Sequence, residues 1–260
     1  MVRRFAPDGL PSDLPRTSTP SDAHLAQTVA DAQAADITTD AALTNRFQTL
    51  VGALLYAATH TRPDIAYAVG MLCRVMSRST PALYAYAMVV LRYLDRNAAI
   101  GLRYTSVPTT LEGYFDANWD VLRSTTGWLV MWQSAVIAYG SKSQKGVATS
   151  SAHAEIVAAS EAAKDVIHHR EKLAEFKHPP LSATLLHGDN QAANNLAYNL
   201  ELHERTKHIA RRHFYIREVV EEGQIVVPYV RTIDNLADFF TKHQTPKVFF
   251  AMRAKIMNIP

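Results

Sequence analysis

Cysteine is nearly absent. Cys73 is the only one in 260 residues, so no internal disulfide framework holds this chain and a cysteine-based zinc finger is excluded. A lone cysteine also fits a reducing compartment. Long apolar runs are missing too: none approaches the roughly 20 residues that cross a bilayer. The opening MVRRFAPDGLPSDLP has charge but not the apolar core of a secretory signal. Nor does one sign of charge dominate. A formal net charge of +3 is too small to identify a polyanionic partner, so the local placement of charge carries that information. With these classes set aside, the chain is 48% hydrophobic and 20% charged, an ordinary globular balance with core enough for one sizeable domain and a smaller satellite.

Four segments are expected. Residues 1–44 carry Pro7, Pro11, Pro15 and Pro20 among Ser, Thr and Asp, and the composition predicts a disordered or linker-like tail. Residues 45–105 are predicted helical. Phe47–His60 has an apolar face, Arg62-Pro63-Asp64 interrupts it, and Thr80-Pro81 pairs an N-cap with proline at the first helical position. Arg62, Asp64 and Arg92 are read as solvated or capping residues, and Gly101–Tyr104 as a short strand. From 108 to 243 strands and helices alternate: strands over 111–117, 127–135, 136–144, 184–189 and 224–230, helices over 151–177, 206–222 and 234–242. That order predicts an α/β (α+β) fold, a mixed five-stranded sheet flanked by helices, antiparallel first and then wound by crossovers. Pro228 cannot donate to a ladder and places its strand at an edge. Residues 244–260 are expected to be a helical tail.

Four acids open or close these segments: Asp116, Glu155, Asp189 and Asp238. Asp116 and Asp189 fall at strand ends, where sites form in such sheets. Hard divalent cations take oxygen ligands, and a pair of them on a phosphodiester needs several carboxylates from separate elements. Each acid also has a plainer reading. Asp116 can cap a turn, Asp189 can be a helix N-cap, and Glu155 can be a first-turn acid favoured by the macrodipole. Ile233, Leu236, Ala237 and Phe240 define an apolar face that leaves Asp238 on the polar side. A basic run holds Arg205, Lys207, Arg211, Arg212 and Arg217, enough to neutralise several phosphates or to form a solvated cationic face. His203, His208 and His213 recur every five residues, a spacing that spreads them around a helix and argues against a zinc cluster.

Six runs in series carry a resemblance: YFDANW, RSTTGWLVMW, SKSQKGVATSSAHAEIVAASEAAKD, DNQAANNLA, HERTKHIARRHFYIREVVEEGQI and YVRTIDNLADFFTK. In this order and spacing, Gly113 to Lys242 is similar to the ribonuclease H domain of Ty1/copia-type retrotransposon Pol polyproteins. The helical block from residue 46 resembles the family's segment joining the reverse transcriptase to that domain. The resemblance implies a ribonuclease H-like fold with Asp116, Glu155, Asp189 and Asp238 as catalytic, metal-binding carboxylates. It also implies two Mg²⁺ ions, with Mn²⁺ as a substitute, and hydrolysis of the RNA strand of an RNA–DNA hybrid. Ser151, Asn190 and Gln191 beside those ligands are candidates for hydrogen bonds to sugar or phosphate, or for helix caps. Arg205, Lys207, Arg211 and Arg212 are the candidate phosphate contacts.

The implied partners are the hybrid and a reverse transcriptase portion not recognised here, with no membrane. The implied location is the cytoplasm or a virus-like particle, with the nucleus as an alternative. No adjacent Asp-Asp pair occurs, so the polymerase motif is absent and the chain reads as the C-terminal part of a Pol polyprotein. Two departures from the family stand out: Asn118 replaces an acid before a shortened loop, and His153 stands where an acid usually precedes Glu155 by two. VRTIDNLAD also lacks the histidine loop that the similar cellular ribonucleases H carry shortly before their last Asp. The competing expectation is a catalytically decayed ribonuclease H-like module that binds nucleic acid or a protein.

Overall fold

A two-residue turn without glycine joins two antiparallel neighbours of the sheet, one of them an edge strand. Gln133 and Ser134 have φ of 52° and 67°, and Trp132 pairs with Ala135 across them. Two consecutive left-handed residues make the turn whose twist matches the strands it connects. The computed structural model describes residues 2–36, 39–106, 110–120, 123–198 and 210–260. Its contacts divide the chain into two units: Met1–Leu102 with His243–Arg253, and Arg103–Lys242 with Ala254–Asn258.

The first unit is helical: α1 (Val2–Phe5), α2 (Leu25–Ala34), α3 (Ala41–His60), α4 (Ala66–Cys73) and α5 (Pro81–Arg96). Caps set the boundaries. Asp40 accepts from the amides of Ala42 and Leu43 to start α3, and Thr80 accepts from that of Leu83, with Pro81 following. The expected disordered tail is corrected here. Leu25, Val29 and Ala32 recur on one face of α2 and are buried, and α2 packs on α4 and α5. Arg78 caps it, its Nη1 donating to the carbonyls of Gln33 at 2.7 Å and Ala35 at 3.0 Å. The prolines that lowered the expectation all precede residue 21, and this short amphipathic stretch follows them.

Arg62 and Asp64 are likewise not solvated. They are 8% and 3% exposed and joined by two bonds of 2.9 and 2.8 Å. Tyr93 donates to Asp64 at 2.7 Å, and Arg253 donates to the Tyr93 hydroxyl at 2.8 Å. Arg92 is half-buried and donates to the carbonyls of Leu14 and Pro15.

The second unit runs β1 (Glu112–Asn118), β2 (Thr125–Trp132), β3 (Ala135–Ser143), α6 (Ser151–Glu175), β4 (Thr184–His187), α7 (Gln191–Leu196), α8 (Ala210–Glu221) and β5 (Ile225–Val226). Two 3-10 turns follow, Thr232–Asp234 and Leu236–Phe240; of α9 (Pro246–Met257), the residues up to Arg253 belong to the first unit. The strand order is β3-β2-β1-β4-β5. The first three strands pair antiparallel, and β4 and β5 join parallel. This is the mixed five-stranded sheet flanked by helices expected from the sequence; the strand expected over 224–230 is shorter, β5 lies at the edge, and Pro228 falls beyond it. Gly101–Tyr104 forms no strand: Arg103 makes a single backbone bond, to Met257 at 3.0 Å.

Helix α6 packs on β1 and β2 because its inward face is mostly alanine. Ala154, Ala158, Ala162 and Ala163 are fully buried, and short side chains let a helix lie close to a sheet. Phe115, Trp128, Val130, Val166 and Leu186 fill the space between. Gly140 makes room for one of them: a Cβ there would stand 2.2 Å from the Trp128 ring.

Candidate metal centre

Three acids arrive from three elements. Asp116 lies on β1, two residues before its end, with Gly127 of β2 directly opposite. Glu155 stands in the second turn of α6 and faces the sheet, whereas Asp189 follows β4, which runs parallel to β1. Gly188 permits this last approach, since a Cβ there would meet the Phe115 ring at 2.2 Å. The result is a cluster in which one carboxylate oxygen from each of Asp116, Glu155 and Asp189 lies within 4.8 Å of the others. Asp116 and Glu155 are each 5% exposed; Asp189 is half-buried. They border a cavity of about 570 Å³ lined also by Asn190, Gln191, Ala192 and Tyr229.

Burial and like charge act together here. Burial first, then the charge of Asp238, push Asp116 up to about 7, against a hydrogen bond from Thr241. Burial, then Asp116 and Asp189, raise Glu155 to about 9, although the Ala117 amide donates to it. Oε2 of Glu155 is buried with no hydrogen-bond partner, which costs energy unless something cationic or donating meets it. An all-oxygen donor set around an orphaned carboxylate oxygen suits a hard divalent cation.

Asp238 lies beside this group and outside it. It is 6% exposed, against the expectation that it sits on a polar face. The expectation assumed an α-helix; the segment is a 3-10 turn in which all of Leu236–Phe240 are buried, while Ile233 is 83% exposed. Gly127 is the reason the turn packs so close. A Cβ there would stand 2.9 Å from both the Ala237 carbonyl and Phe240 Cβ. Asn235 anchors the turn, donating to the Phe115 carbonyl at 3.0 Å and accepting from Ala237 at 3.1 Å. Thr241 then donates to Asp116, and Lys242 Nζ meets Asp238 Oδ2 at 2.7 Å. Burial raises Asp238, and Lys242 pulls it back down in part.

The plainer readings of the acids can now be placed. Asp116 is within a strand and caps no turn. The N-cap of α7 is Asn190, accepting from Ala193 at 3.1 Å, and not Asp189. Ser151 is exposed, and the cap of α6 is its neighbour Ser150, accepting from His153 at 3.1 Å. Asn190 and Gln191 both reach the cavity. Arg205, Lys207, His203 and His208 lie outside the described residues, as do the side chains of Arg211 and His213. Arg212 faces Glu161 at 3.8 Å, and Arg217 pairs with Glu221 at 3.3 Å. Sequence reasoning missed Lys242, Thr241 and Tyr229. The first had a signal, an acid four residues before a lysine.

A 200-residue stretch is 35% identical to the retrovirus-related Pol polyprotein from transposon TNT 1-94 of Nicotiana tabacum, covering 75% of this chain and 15% of that protein. The corresponding protein from transposon RE2 of Arabidopsis thaliana is 33% identical over 225 residues, 82% of this chain and 15% of that one. The chain belongs to the retrovirus-related Pol polyproteins of transposons. It spans about 15% of the length of those Pol relatives. No protein-family model matches it. Among solved structures, a foamy viral protease-reverse transcriptase in complex with double-stranded DNA is similar over 81% of this chain and 35% of that one, at 13% identity and a TM-score of 0.50. That likeness is one of fold. A ribonuclease H1 of Halobacterium salinarum NRC-1 matches 51% of this chain and 95% of that one at 20% identity and a TM-score of 0.39. No helix among the described residues of this Pol relative is long and apolar enough to cross a membrane.

Proposed function

We propose that this chain is a divalent-cation-dependent endonuclease that hydrolyses the RNA strand of an RNA–DNA hybrid. The convergence of Asp116, Glu155 and Asp189 at the wall of an open polar cavity carries this reading. Those three carboxylates would hold magnesium, with manganese as a substitute, and Asp238 is the fourth acid of the set. When bound, the ion supplies Lewis acidity to the phosphodiester and lowers the pKa of the attacking water.

The chain's own residues supply position. Oδ1 of Asn190 is engaged in its cap, which leaves its Nδ2 to donate toward a sugar or phosphate oxygen from the cavity wall. Gln191 stands beside it, and the half-exposed Tyr229 offers a ring edge for a sugar. Choice of RNA over DNA needs a contact to the 2′-hydroxyl, which Asn190 and Gln191 would supply from the cavity wall. Arg205, Lys207, Arg211 and Arg212 would neutralise phosphates along the duplex. Membership among the Pol polyproteins supports a setting in reverse transcription, beside a polymerase portion, in the cytosol or a particle.

The test is cleavage of a labelled hybrid by the purified chain in Mg²⁺ and in EDTA, with single-stranded RNA and duplex DNA alongside. The expected result is Mg²⁺-dependent cutting of the RNA strand in the hybrid alone. Asp189→Asn should lower it on the order of 10³-fold, about 4 kcal/mol of transition-state stabilisation, with an unchanged circular dichroism spectrum. Equal cutting by variant and parent overturns the assignment. A folded parent that binds the hybrid without cutting it supports the decayed, binding-module reading instead.

A further inference from the structure

The cluster contains a positive charge of its own. Lys242 follows the 3-10 turn that carries Asp238, and its Nζ sits 2.7 Å from Asp238 Oδ2. The lysine side chain is 42% exposed and the Asp238 side chain 9%, so the ammonium reaches inward from the rim onto a buried carboxylate. Its field also acts on Asp116 and Asp189. Three of the four acids gather their oxygens within 4.8 Å, and the fourth is the one that the lysine holds. A surface ion pair contributes little, but this pair has a buried acid partner and stands beside two further carboxylates.

We propose that Lys242 is a resident cation of the acidic cluster, a positioning residue that holds Asp238 and competes with a divalent ion for that side of Asp116. The inference rests on the reading of Asp116, Glu155 and Asp189 as a metal centre. In the resting protein those three carboxylates take one divalent ion. A second ion at Asp116 and Asp238 must displace the ammonium, which can swing toward solvent on its four-carbon stem. Loading of the second ion is thereby tied to whatever draws Lys242 away, and a nucleic-acid phosphate at the rim has the charge to do so.

Two measurements on the full chain test this: Mn²⁺ binding followed by electron paramagnetic resonance, and thermal unfolding in EDTA and in saturating Mn²⁺. The parent, Lys242→Met and Lys242→Arg are compared, with Lys242→Gln as a second neutral variant should Met fail to fold. The parent should bind one Mn²⁺ tightly and a second weakly. Removing the charge should tighten the second site about 10-fold or more, the scale on which one adjacent charge shifts an ionic equilibrium. Lys242→Met should unfold at lower temperature than the parent in EDTA and recover the difference in Mn²⁺, whereas Lys242→Arg should behave like the parent. A merely structural ion pair would leave the deficit the same with and without Mn²⁺. Identical Mn²⁺ stoichiometry and affinity in parent and neutral variant would overturn the role of Lys242 and leave the metal centre standing. A folded parent that binds no Mn²⁺ would remove both.

Discussion

The two units each bury acid groups, and they treat them in opposite ways. In the helical unit Asp64, 3% exposed, receives two bonds from Arg62 and one from Tyr93. Arg62 in turn donates to the Asn97 carbonyl, and Arg253 closes the group through Tyr93 and Asn97. The two buried opposite charges there meet each other, and Arg253 is held by neutral acceptors. In the sheet unit Asp116 and Glu155 are as deeply buried but face further carboxylates, and Glu155 Oε2 meets no donor at all. The first arrangement holds a fold together. The second works against the fold, the arrangement of perturbed acids that marks a candidate site and that a bound cation could offset.

The contrast is sharpest on removing a side chain from each. Arg62→Ala strands a buried carboxylate and should cost about 3–5 kcal/mol, read as a fall in the midpoint of chemical denaturation. Glu155→Gln, measured the same way in EDTA at alkaline pH, should move stability upward. The sign follows from the direction of the shifts. The folded protein holds protons on Asp116 and Glu155 that the unfolded chain has released, so the stabilisation is complete below about pH 4 and is lost as pH rises toward about 7 for Asp116 and about 9 for Glu155. The cation-free parent should therefore lose stability as pH rises between those limits. Glu155→Gln should flatten the upper part of that curve, as should a saturating divalent cation. A parent curve that is level from pH 5 to 9 would break the comparison.

A smaller effect separates placement from charge. Gly127→Ala adds a Cβ against Ala237, Phe240 and Thr241, an overpacking that should cost about 1–3 kcal/mol. The shift falls on the turn that carries Asp238 and Lys242, so cleavage should drop by more than the stability loss explains. Unchanged cleavage in a stable Gly127→Ala protein would show that the turn's position is not critical.

Local patterns were legible. Thr80 with Pro81 reads as a helix start because capping needs only a side-chain oxygen and a missing amide, and both lie within four residues of the bonds they serve. The first four strands were placed to within three residues, but the turn falls at Gln133–Ser134 and not after Ala135, and the edge strand ends at Val226, before Pro228. The turn at Leu236–Phe240 misled because an apolar stripe was read at helical period, whereas its burial comes from Gly127 more than a hundred residues earlier. Helix α2 was hidden by the prolines before it. Its three buried side chains count only once α4 and α5 lie beneath them.

Which residue types are present, where a capped helix such as α5 begins, and that four acids recur along the strand and helix segments are properties of the sequence by itself, because each depends on neighbours a few residues away. That three of those acids crowd within 4.8 Å while the fourth pairs with Lys242 was decided by the tertiary structure. So was the burial of Arg62 against Asp64. Solvent exclusion and charge–charge distance depend on segments far apart in the chain, and no local spacing encodes the space between a strand, a helix and a turn.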